Sequence, residues 1–327
     1  MTDNLMNLLR SSEIGAICAS KKVGTHDKEG IDKNAVDAIQ LILTSCKYPG
    51  EVVMGEGELD NAPMLYVGQK FNDKVIYDIA VDPVEGTNPA ANNKPGAIST
   101  LASSKKGTMI KVPEMYMEKL FVSSKLKNVI DINKNLKQHV EEFKKINNNL
   151  KAIVLNKPRH KETIEWLIKN GVQVKLINDG DVMGAIEVVD GDADFLWGIG
   201  GSPEGSLMAS LAIASNSEMI WQLVKFDDVK GGKLQSETRG QEEIKILKES
   251  GLEYNKPELS LGLVKDKEVA FVATAITHSK TLNEVKENEF EFKVSSLYAH
   301  KGSVRFIKSR HNKNSLFEKY PKLKDII

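Results

Sequence analysis

The sequence has few cysteines and lacks long apolar runs. Its 327 residues include only two cysteines, Cys18 and Cys46, which is too few for a disulfide framework or a cysteine zinc site. We expect both to be buried thiols in a reducing compartment. No stretch approaches the roughly 18 consecutive apolar residues that a membrane span requires. Polar side chains interrupt the first twenty residues, unlike a signal peptide, so we expect a cytoplasmic protein.

Neither sign of charge is in excess. Lys and Arg together number 45, Asp and Glu together also number 45, and the formal net charge is therefore zero. This balance argues against general attraction to nucleic acids or membranes, so any basic patch must be local. A chain of this length is too long for one ordinary core, which indicates two α/β lobes or one large domain.

Apolar periodicity predicts an α/β protein. Helical spacing predicts a helix over residues 4–20 and a second helix beginning near Asp32, which occupies the expected N-cap position. After residue 151, short strands alternate with short helices, as in a doubly wound sheet. The segment 142–151 has the least structured composition and is the predicted boundary. We therefore divide the chain into lobes 1–147 and 148–327.

The end of one predicted strand, in "VIYDIAVDPVEGTNPA", carries a concentration of polar side chains. A helix beginning at Pro83 would bring the carboxylates of Asp82 and Glu85 to one side, beside the Thr87 hydroxyl. Converging carboxylates repel each other unless a proton or a cation intervenes, and oxygen ligands favour magnesium or manganese. The alternative is a capped helix start, with Asp at the N-cap and Glu three residues later.

Acids and cations also follow other predicted strands. The motifs "GEGELD" and "GIGGSPEG" supply acids near glycines, "NKPRH" supplies cations that suit a phosphate, and "NDGDV" supplies acceptors for hydroxyl groups. Each motif alone could be a solvated loop, a turn or a helix cap. Together they fit a phosphorylated, polyhydroxylated substrate. The side chains concerned are Glu56, Lys157, Arg159, Asp179, Asp181 and Glu204.

The ordered set "GEGELDNAPMLYVG", "DIAVDPVEGT", "PEMYMEKL", "NKPRH", "NDGDV", "GIGGSPEG" and "FDDVKG" resembles the class II fructose-1,6-bisphosphatases, from about residue 10 to about residue 310. The resemblance implies an α/β protein with a layered α-β-α-β-α sugar-phosphatase fold. Its two lobes would be a metal-binding α+β lobe and a sugar-phosphate-binding α/β lobe, with the site between them. It also implies hydrolysis of the 1-phosphate of fructose 1,6-bisphosphate, a gluconeogenic reaction, with Mn²⁺ or Mg²⁺. We expect a homo-oligomer, a dimer or a tetramer, and no nucleic-acid or membrane partner.

The resemblance also implies roles for individual residues. Asp32 and Glu56 resemble the ligands of one metal, and Asp82, Glu85 and Glu204 resemble those of the other. Thr87 matches the hydroxyl that positions the attacking water, with Glu56 as the candidate carboxylate beside it. The implied sugar-phosphate contacts are Glu85, Gly86, Thr87, Tyr116, Lys157, Pro158, Arg159, Asp179, Gly180, Asp181 and Gly201.

Three other functions remain open at this point. The same family allows an enzyme that also cleaves sedoheptulose 1,7-bisphosphate. An inositol-phosphate phosphatase would share "DPVEGT" but not "GIGGSPEG". A non-enzymatic polyanion-binding protein could use the basic segment 300–314, although its alternation is more typical of the solvated face of an edge strand.

Overall fold

The computed structural model describes residues 2–55, 64–225, 229, 245, 247–248 and 250–327. The chain forms two compact units, and the first of them is discontinuous in sequence. Unit 1 comprises Met1–Met109 and Asp266–Ile327, and unit 2 comprises Ile110–Lys265. This division differs from the predicted lobes 1–147 and 148–327, because the C-terminal strands pair with strands of the N-terminal segment.

Unit 1 is built on a mixed sheet of seven strands in the order β1-β2-β3-β10-β12-β11, with β13 paired to β12. Only β1 and β2 are parallel, and the other pairs are antiparallel. The strands are β1 Gly50–Met54, β2 Tyr77–Glu85, β3 Ile98–Lys105, β10 Ala270–Ala275, β11 Lys286–Glu287, β12 Glu291–His300 and β13 Ser303–Asn312.

The helices of unit 1 are α1 Thr2–Ser20, α2 Lys28–Ser45, α3 Thr87–Ala91 and α8 Lys313–Lys319. The first two pack against each other, and α1 also packs on β3 and β10. Leu8, Leu9, Ile39 and Leu43 bury their side chains there with sheet residues such as Leu101. The apolar positions that predicted helices therefore form the core that positions β2.

Unit 2 contains a six-stranded mixed sheet in the order β6-β5-β7-β4-β8-β9. The strands β6, β5 and β7 are parallel, as a doubly wound sheet requires, but β4 runs antiparallel to both β7 and β8. The strands are β4 Tyr116–Val122, β5 Lys151–Leu155, β6 Gln173–Ile177, β7 Phe195–Gly201, β8 Glu218–Val224 and β9 Glu258–Leu259.

The helices of unit 2 are α4 Leu136–Ile146, α5 Lys161–Lys169, α6 Asp181–Asp190 and α7 Pro203–Ser215. One core cluster joins Phe143 of α4 and Leu167 of α5 to the sheet residues Val154 and Phe195. Helix α7 is buried on nearly all sides. Consequently the residues at the starts of α6 and α7 are held beside the sheet by extensive apolar packing.

Several local predictions are corrected by these elements. Residues 142–146 belong to α4, so only 147–150 separate that helix from β5. Helix α2 begins at Lys28 and is capped by Asp27, whose side chain accepts from the Gly30 N–H. The prediction that Asp32 is the N-cap is therefore wrong, since a capping side chain already lies one turn earlier.

The cysteine and membrane predictions have separate outcomes. Both thiols are free; Cys18 is buried as predicted, whereas Cys46 is half-buried. Burial raises the pKa of the Cys18 thiol to about 12, which keeps it protonated and inert. In the part of the chain that the structure describes, no helix combines the length and the hydropathy needed to cross a bilayer.

Candidate active site

The end of β2 presents its acids from an irregular strand and not from a helix. The strand continues through Pro83 to Glu85, and its pairing with β3 shifts register between Asp82 and Glu85. Proline has no N–H to donate to the ladder, which accounts for an irregularity at this point. The Oδ1 atom of Asp82 accepts from the Val84 N–H at 3.1 Å. The predicted helix start at Pro83 is wrong, and α3 begins four residues later.

Gly86 and Thr87 form the sharp exit from this strand. Gly86 has φ +85°, a left-handed conformation that strains residues with a side chain. The turn places Thr87 at the first position of α3, where its Oγ1 donates to the Val84 carbonyl oxygen at 2.9 Å. Because this bond uses the hydroxyl proton, the lone pairs of Oγ1 remain able to accept a hydrogen bond from a water molecule.

Two other predicted metal ligands belong to unit 1. Glu85 directly precedes this turn in sequence, and Asp32 belongs to a helix that packs against α3. Glu85 is buried, with 4% of its surface exposed. Asp32 is half-buried on α2, the helix that packs against both β2 and α3. Carboxylate oxygens are the type of ligand that a hard divalent cation favours.

The cations of "NKPRH" occupy a short 3-10 turn after β5 in unit 2. The Arg159 guanidinium donates from Nε and Nη2 to the Ile199 carbonyl oxygen, at 2.9 and 2.6 Å. Its centre also lies 5.1 Å from the ring centroid of Tyr116, a cation–π contact. Two predicted substrate contacts are thus brought together, and three guanidinium N–H groups are not used by the Ile199 carbonyl. Lys157 is half-buried and Pro158 is exposed.

His160, which the sequence presents as a third cation of this motif, has a structural role. The side chain is fully buried, its Nδ1 donates to the Leu155 carbonyl oxygen at 2.8 Å, and its Nε2 accepts from the Ile199 N–H at 3.0 Å. Burial lowers the pKa of His160, so the ring is held neutral. The imidazole therefore ties the turn to β7 and supplies no charge to a phosphate.

The "NDGDV" motif forms the start of α6. Gly180, with φ +91°, is the N-cap, and Asp181 is the first helical residue. Asp179 is exposed, whereas Asp181 is buried with 7% of its surface accessible. The Oδ2 atom of Asp181 lies 2.6 Å from the ammonium Nζ of Lys119. Of the two predicted hydroxyl acceptors, Asp181 is therefore the one that the protein fixes in place.

The glycines of "GIGGSPEG" provide space beside these charges. A Cβ atom at Gly200 would lie 2.6 Å from Asp181 Oδ2 and 3.3 Å from Lys119 Nζ, and one at Gly201 would lie 2.4 Å from Glu204 Oε2. Pro203 begins α7, with Glu204 in its first turn. The motif is thus glycine-rich because β7 passes directly against an ion pair and a carboxylate.

Glu204 presents a carboxylate oxygen without a partner. Its Oε2 is buried and forms no hydrogen bond within the described residues. Burial raises the pKa of this carboxyl group, while the nearby positive charge of Lys119 opposes the rise. A buried carboxylate oxygen of this kind is suited to a cation.

The structure does not assemble the complete predicted metal set. Glu56 lies outside the described residues, as does the "FDDVKG" motif apart from Val229. Within the described ranges, no group of three or more His, Cys, Asp or Glu side chains is arranged to hold a metal ion. The ligand assignments therefore stay predictions.

Lys119 was missed by the sequence reasoning although "MYMEKL" was noted. Along β4, Met117, Lys119 and Phe121 occupy the alternate buried positions, and Lys119 is fully buried. The sequence contains a signal for this residue, because a lysine stands at an inward position between apolar residues of the strand. Lysine is almost never fully buried without a partner.

The basic segment 300–314 is largely neutralised by acids. Three of its Lys and Arg side chains contact a carboxylate, Lys301 with Glu268, Arg310 with Glu291 and Lys313 with Glu287, and the His311 ring lies 3.1 Å from Glu13. Exposure alternates along β13, as on an edge strand with one solvated face. These pairs disfavour a surface dedicated to polyanions.

Comparison with known proteins identifies the family. A family model described as "Bacterial fructose-1,6-bisphosphatase, glpX-encoded" matches residues 2–311. The chain belongs to this family. It is 35% identical over 319 residues to the Haemophilus influenzae protein named fructose-1,6-bisphosphatase class 2, covering 94% of this chain and 96% of that protein. It is also 38% identical over 284 residues to the Escherichia coli fructose-1,6-bisphosphatase 1 class 2, covering 84% of each.

A second Escherichia coli member, named fructose-1,6-bisphosphatase 2 class 2, is 32% identical over 288 residues, which is 86% of this chain and 90% of that protein. The family model covers all of unit 2, unit 1 up to residue 311 apart from Met1, and every predicted site residue. Membership therefore confirms the resemblance found in the motifs.

Proposed function

We propose that this protein hydrolyses fructose 1,6-bisphosphate to fructose 6-phosphate and phosphate. The observation that carries the proposal is family membership over residues 2–311, together with relatives that bear this enzyme's name. The expected reaction adds one water to the phosphorus of the 1-phosphate and releases the sugar hydroxyl. A phosphate monoester hydrolase needs a held phosphate, an oriented water and neutralised charge.

The role of orienting the attacking water is assigned to Thr87. Its Oγ1 donates to the Val84 carbonyl, so the oxygen can accept a hydrogen bond from one O–H of the water and direct a lone pair of that water toward phosphorus. Glu56 is the proposed base for the water's other proton. Gly86 supports this arrangement because its left-handed conformation sets the direction in which α3 begins.

Binding of the sugar phosphate is assigned to residues of unit 2. The remaining N–H groups of Arg159, with Lys157 nearby in sequence, suit the phosphate that does not react. Asp181 and Asp179 suit sugar hydroxyls as acceptors, and Tyr116 stacks on Arg159 and so limits where its guanidinium points. The remaining proposed contacts are Pro158, Gly180 and Gly201 of unit 2, and Glu85, Gly86 and Thr87 of unit 1.

Divalent metal binding is assigned to Asp32, Glu56, Asp82, Glu85 and Glu204, with Mn²⁺ or Mg²⁺ as the ion. The buried, unpartnered Oε2 of Glu204 and the all-oxygen donor set fit such a cation. When bound, the metal would neutralise phosphate charge and lower the pKa of water. We also expect a dimer or a tetramer, which light scattering would measure.

The test is phosphate release from fructose 1,6-bisphosphate, sedoheptulose 1,7-bisphosphate and inositol 1-phosphate, each with Mn²⁺, with Mg²⁺ and after exhaustive chelation. We expect turnover of fructose 1,6-bisphosphate that chelation abolishes and added metal restores. Full turnover in chelated protein would end the metal assignment. Absence of turnover with either metal, in a folded protein, would end the proposed function.

A further inference from the structure

Lys119 is a fully buried cation that contacts two parts of the candidate sugar site. Its Nζ lies 2.6 Å from Asp181 Oδ2 and donates to the Gly201 carbonyl oxygen at 2.8 Å. These partners belong to different segments, the start of α6 and the end of β7. One ammonium group therefore fixes both segments relative to β4.

The location is unfavourable for a cation unless acids accompany it. Asp181 opens α6, and Gly201 stands two residues before Pro203 at the start of α7. Helix N-termini carry partial positive charge, so an ammonium group beside two of them is destabilised. The ion pair with Asp181 offsets this cost, and the positive charge also acts on the carboxyl group of Glu204.

The surrounding sequence is adapted to this ion pair. Gly200 leaves room for it, since any Cβ there would meet both Asp181 Oδ2 and Lys119 Nζ within 3.3 Å. On the same buried face of β4, Met117 and Phe121 are apolar. A buried pair held only for stability could be replaced by apolar residues at little or no cost, so its presence points to a role beyond stability.

We propose that Lys119 is a positioning residue for sugar recognition: through its ion pair with Oδ2 it fixes the direction of the Asp181 carboxylate, which accepts from a substrate hydroxyl. The inference rests on the proposed function, because it names the group that orders one of the proposed sugar contacts. Lys119 acts through Asp181 and the Gly201 carbonyl and does not itself reach solvent.

The experiment compares Lys119→Met, Asp181→Asn and the double variant with the wild-type protein. Measurements are kcat and KM for fructose 1,6-bisphosphate with metal, the calorimetric Kd of fructose 6-phosphate, and the melting temperature. The matched control is Lys175→Met, which removes a 2.5 Å ion pair between β6 and Glu187 of the same helix α6.

Lys119→Met should raise KM and the Kd of fructose 6-phosphate about tenfold or more, with a smaller change in kcat, as expected when a charge-assisted contact is lost. Lys175→Met should leave both constants within about twofold. In the Asp181→Asn background, Lys119→Met should add little, because two residues that act through one contact are not additive.

Two results would overturn the inference while the wild-type enzyme remains active. One is an unchanged KM and Kd in folded Lys119→Met, and the other is an equally large effect with Asp181→Asn already present. If Lys119→Met does not fold, Lys119→Arg is measured instead. Arginine keeps the charge but has a different shape, so the same rise in KM and in the Kd of fructose 6-phosphate is expected. A folded wild-type protein that neither binds fructose 6-phosphate nor hydrolyses the bisphosphate would instead overturn the proposed function.

Discussion

The Thr87 hydroxyl has two features that indicate different roles. The hydrogen bond that it donates fits a structural role, and the lone pairs that can accept a hydrogen bond fit a catalytic role. A cap needs only the bond from Oγ1 to the Val84 carbonyl, whereas water orientation needs the oxygen's lone pairs as well. Serine preserves both features, and alanine removes both. The two substitutions therefore measure what the hydroxyl contributes apart from the methyl group.

We predict that Thr87→Ser retains measurable turnover and that Thr87→Ala loses about a hundredfold or more in kcat, the scale of a positioned proton-transfer group. Steady-state phosphate release and the melting temperature are measured together. Equal losses in both variants, each with a lowered melting temperature, would assign Thr87 to structure alone.

Glu204 is the residue at which stability and activity should respond in opposite directions. Its Oε2 is buried without a partner, and an unpaired buried carboxylate costs folding free energy. Glu204→Gln should nearly abolish turnover while the metal-free protein stays as stable or becomes more stable. Denaturant unfolding in chelator and phosphate release in metal provide the two readouts.

The control for this variant is Glu118→Gln. The Glu118 carboxylate is half-buried in the same sheet, but it accepts from Trp197 Nε1 at 2.9 Å and from Gln222 Nε2 at 2.6 Å. Neutralising the Glu118 carboxylate should lower the stability of the protein and leave its turnover unchanged. If Glu204→Gln behaves like Glu118→Gln, the unpartnered oxygen has no role with a cation.

At the scale of elements, the exit from β2 depends on a glycine whose conformation is left-handed. Gly86 has φ +85°, and a Cβ atom there would lie 3.3 Å from the Cα of Ala97. Gly171 has φ +74° with nothing within 4 Å of the corresponding position. The two positions share the backbone strain but differ in their surroundings.

We predict that Gly86→Ala and Gly171→Ala each reduce the free energy of unfolding by about 1–2 kcal/mol, the cost of a left-handed residue with a side chain. Only Gly86→Ala should also reduce kcat, because it redirects the start of α3 at Thr87. Denaturant unfolding and phosphate release on both variants check this. A Gly86→Ala enzyme with normal kcat would show that this turn tolerates displacement.

At the scale of the whole molecule, two buried histidines make stability depend on pH. His139 and His160 each donate from Nδ1 to a carbonyl and accept at Nε2 from a backbone N–H. Burial lowers the pKa of both imidazoles. A second proton would place an N–H against another N–H, so the folded state keeps both rings neutral.

The sign of the effect follows from linkage. Above the unfolded-state pKa, near 6.5, both states are neutral and the histidines contribute nothing; as pH falls below it, the unfolded state binds protons first and stability declines. Below that pKa, each histidine lowers the free energy of unfolding by at most about 1.4 kcal/mol per pH unit. Urea unfolding between pH 7.5 and 5.5 should show a steeper decline for wild type than for His139→Gln/His160→Gln.

Replacement of the exposed His26 by Asn is the matched control and should leave the pH dependence unchanged. Parallel pH profiles for wild type and the double variant would contradict the neutral, buried assignment of the two rings.

Local patterns in the sequence predict several elements and the polar residues that follow them. Apolar periodicity located α1, and it indicated the alternating short strands and helices after residue 151, because alternation and helical spacing are local properties of the chain. The ordered motifs identified the family. The acids near strand ends suggested metal and sugar-phosphate binding before any contact was known.

The unit boundaries and the environment of each side chain follow from contacts between segments that are distant in sequence. Residues 266–327 belong with the N-terminal segment because β10 pairs with β3, a long-range contact that no local pattern reveals. Likewise, His160 and Lys119 are both fully buried, but the first meets a carbonyl and an N–H, whereas the second meets a carboxylate. Ionisation of a buried group depends on the partners that folding brings to it, and those partners lie far away in sequence.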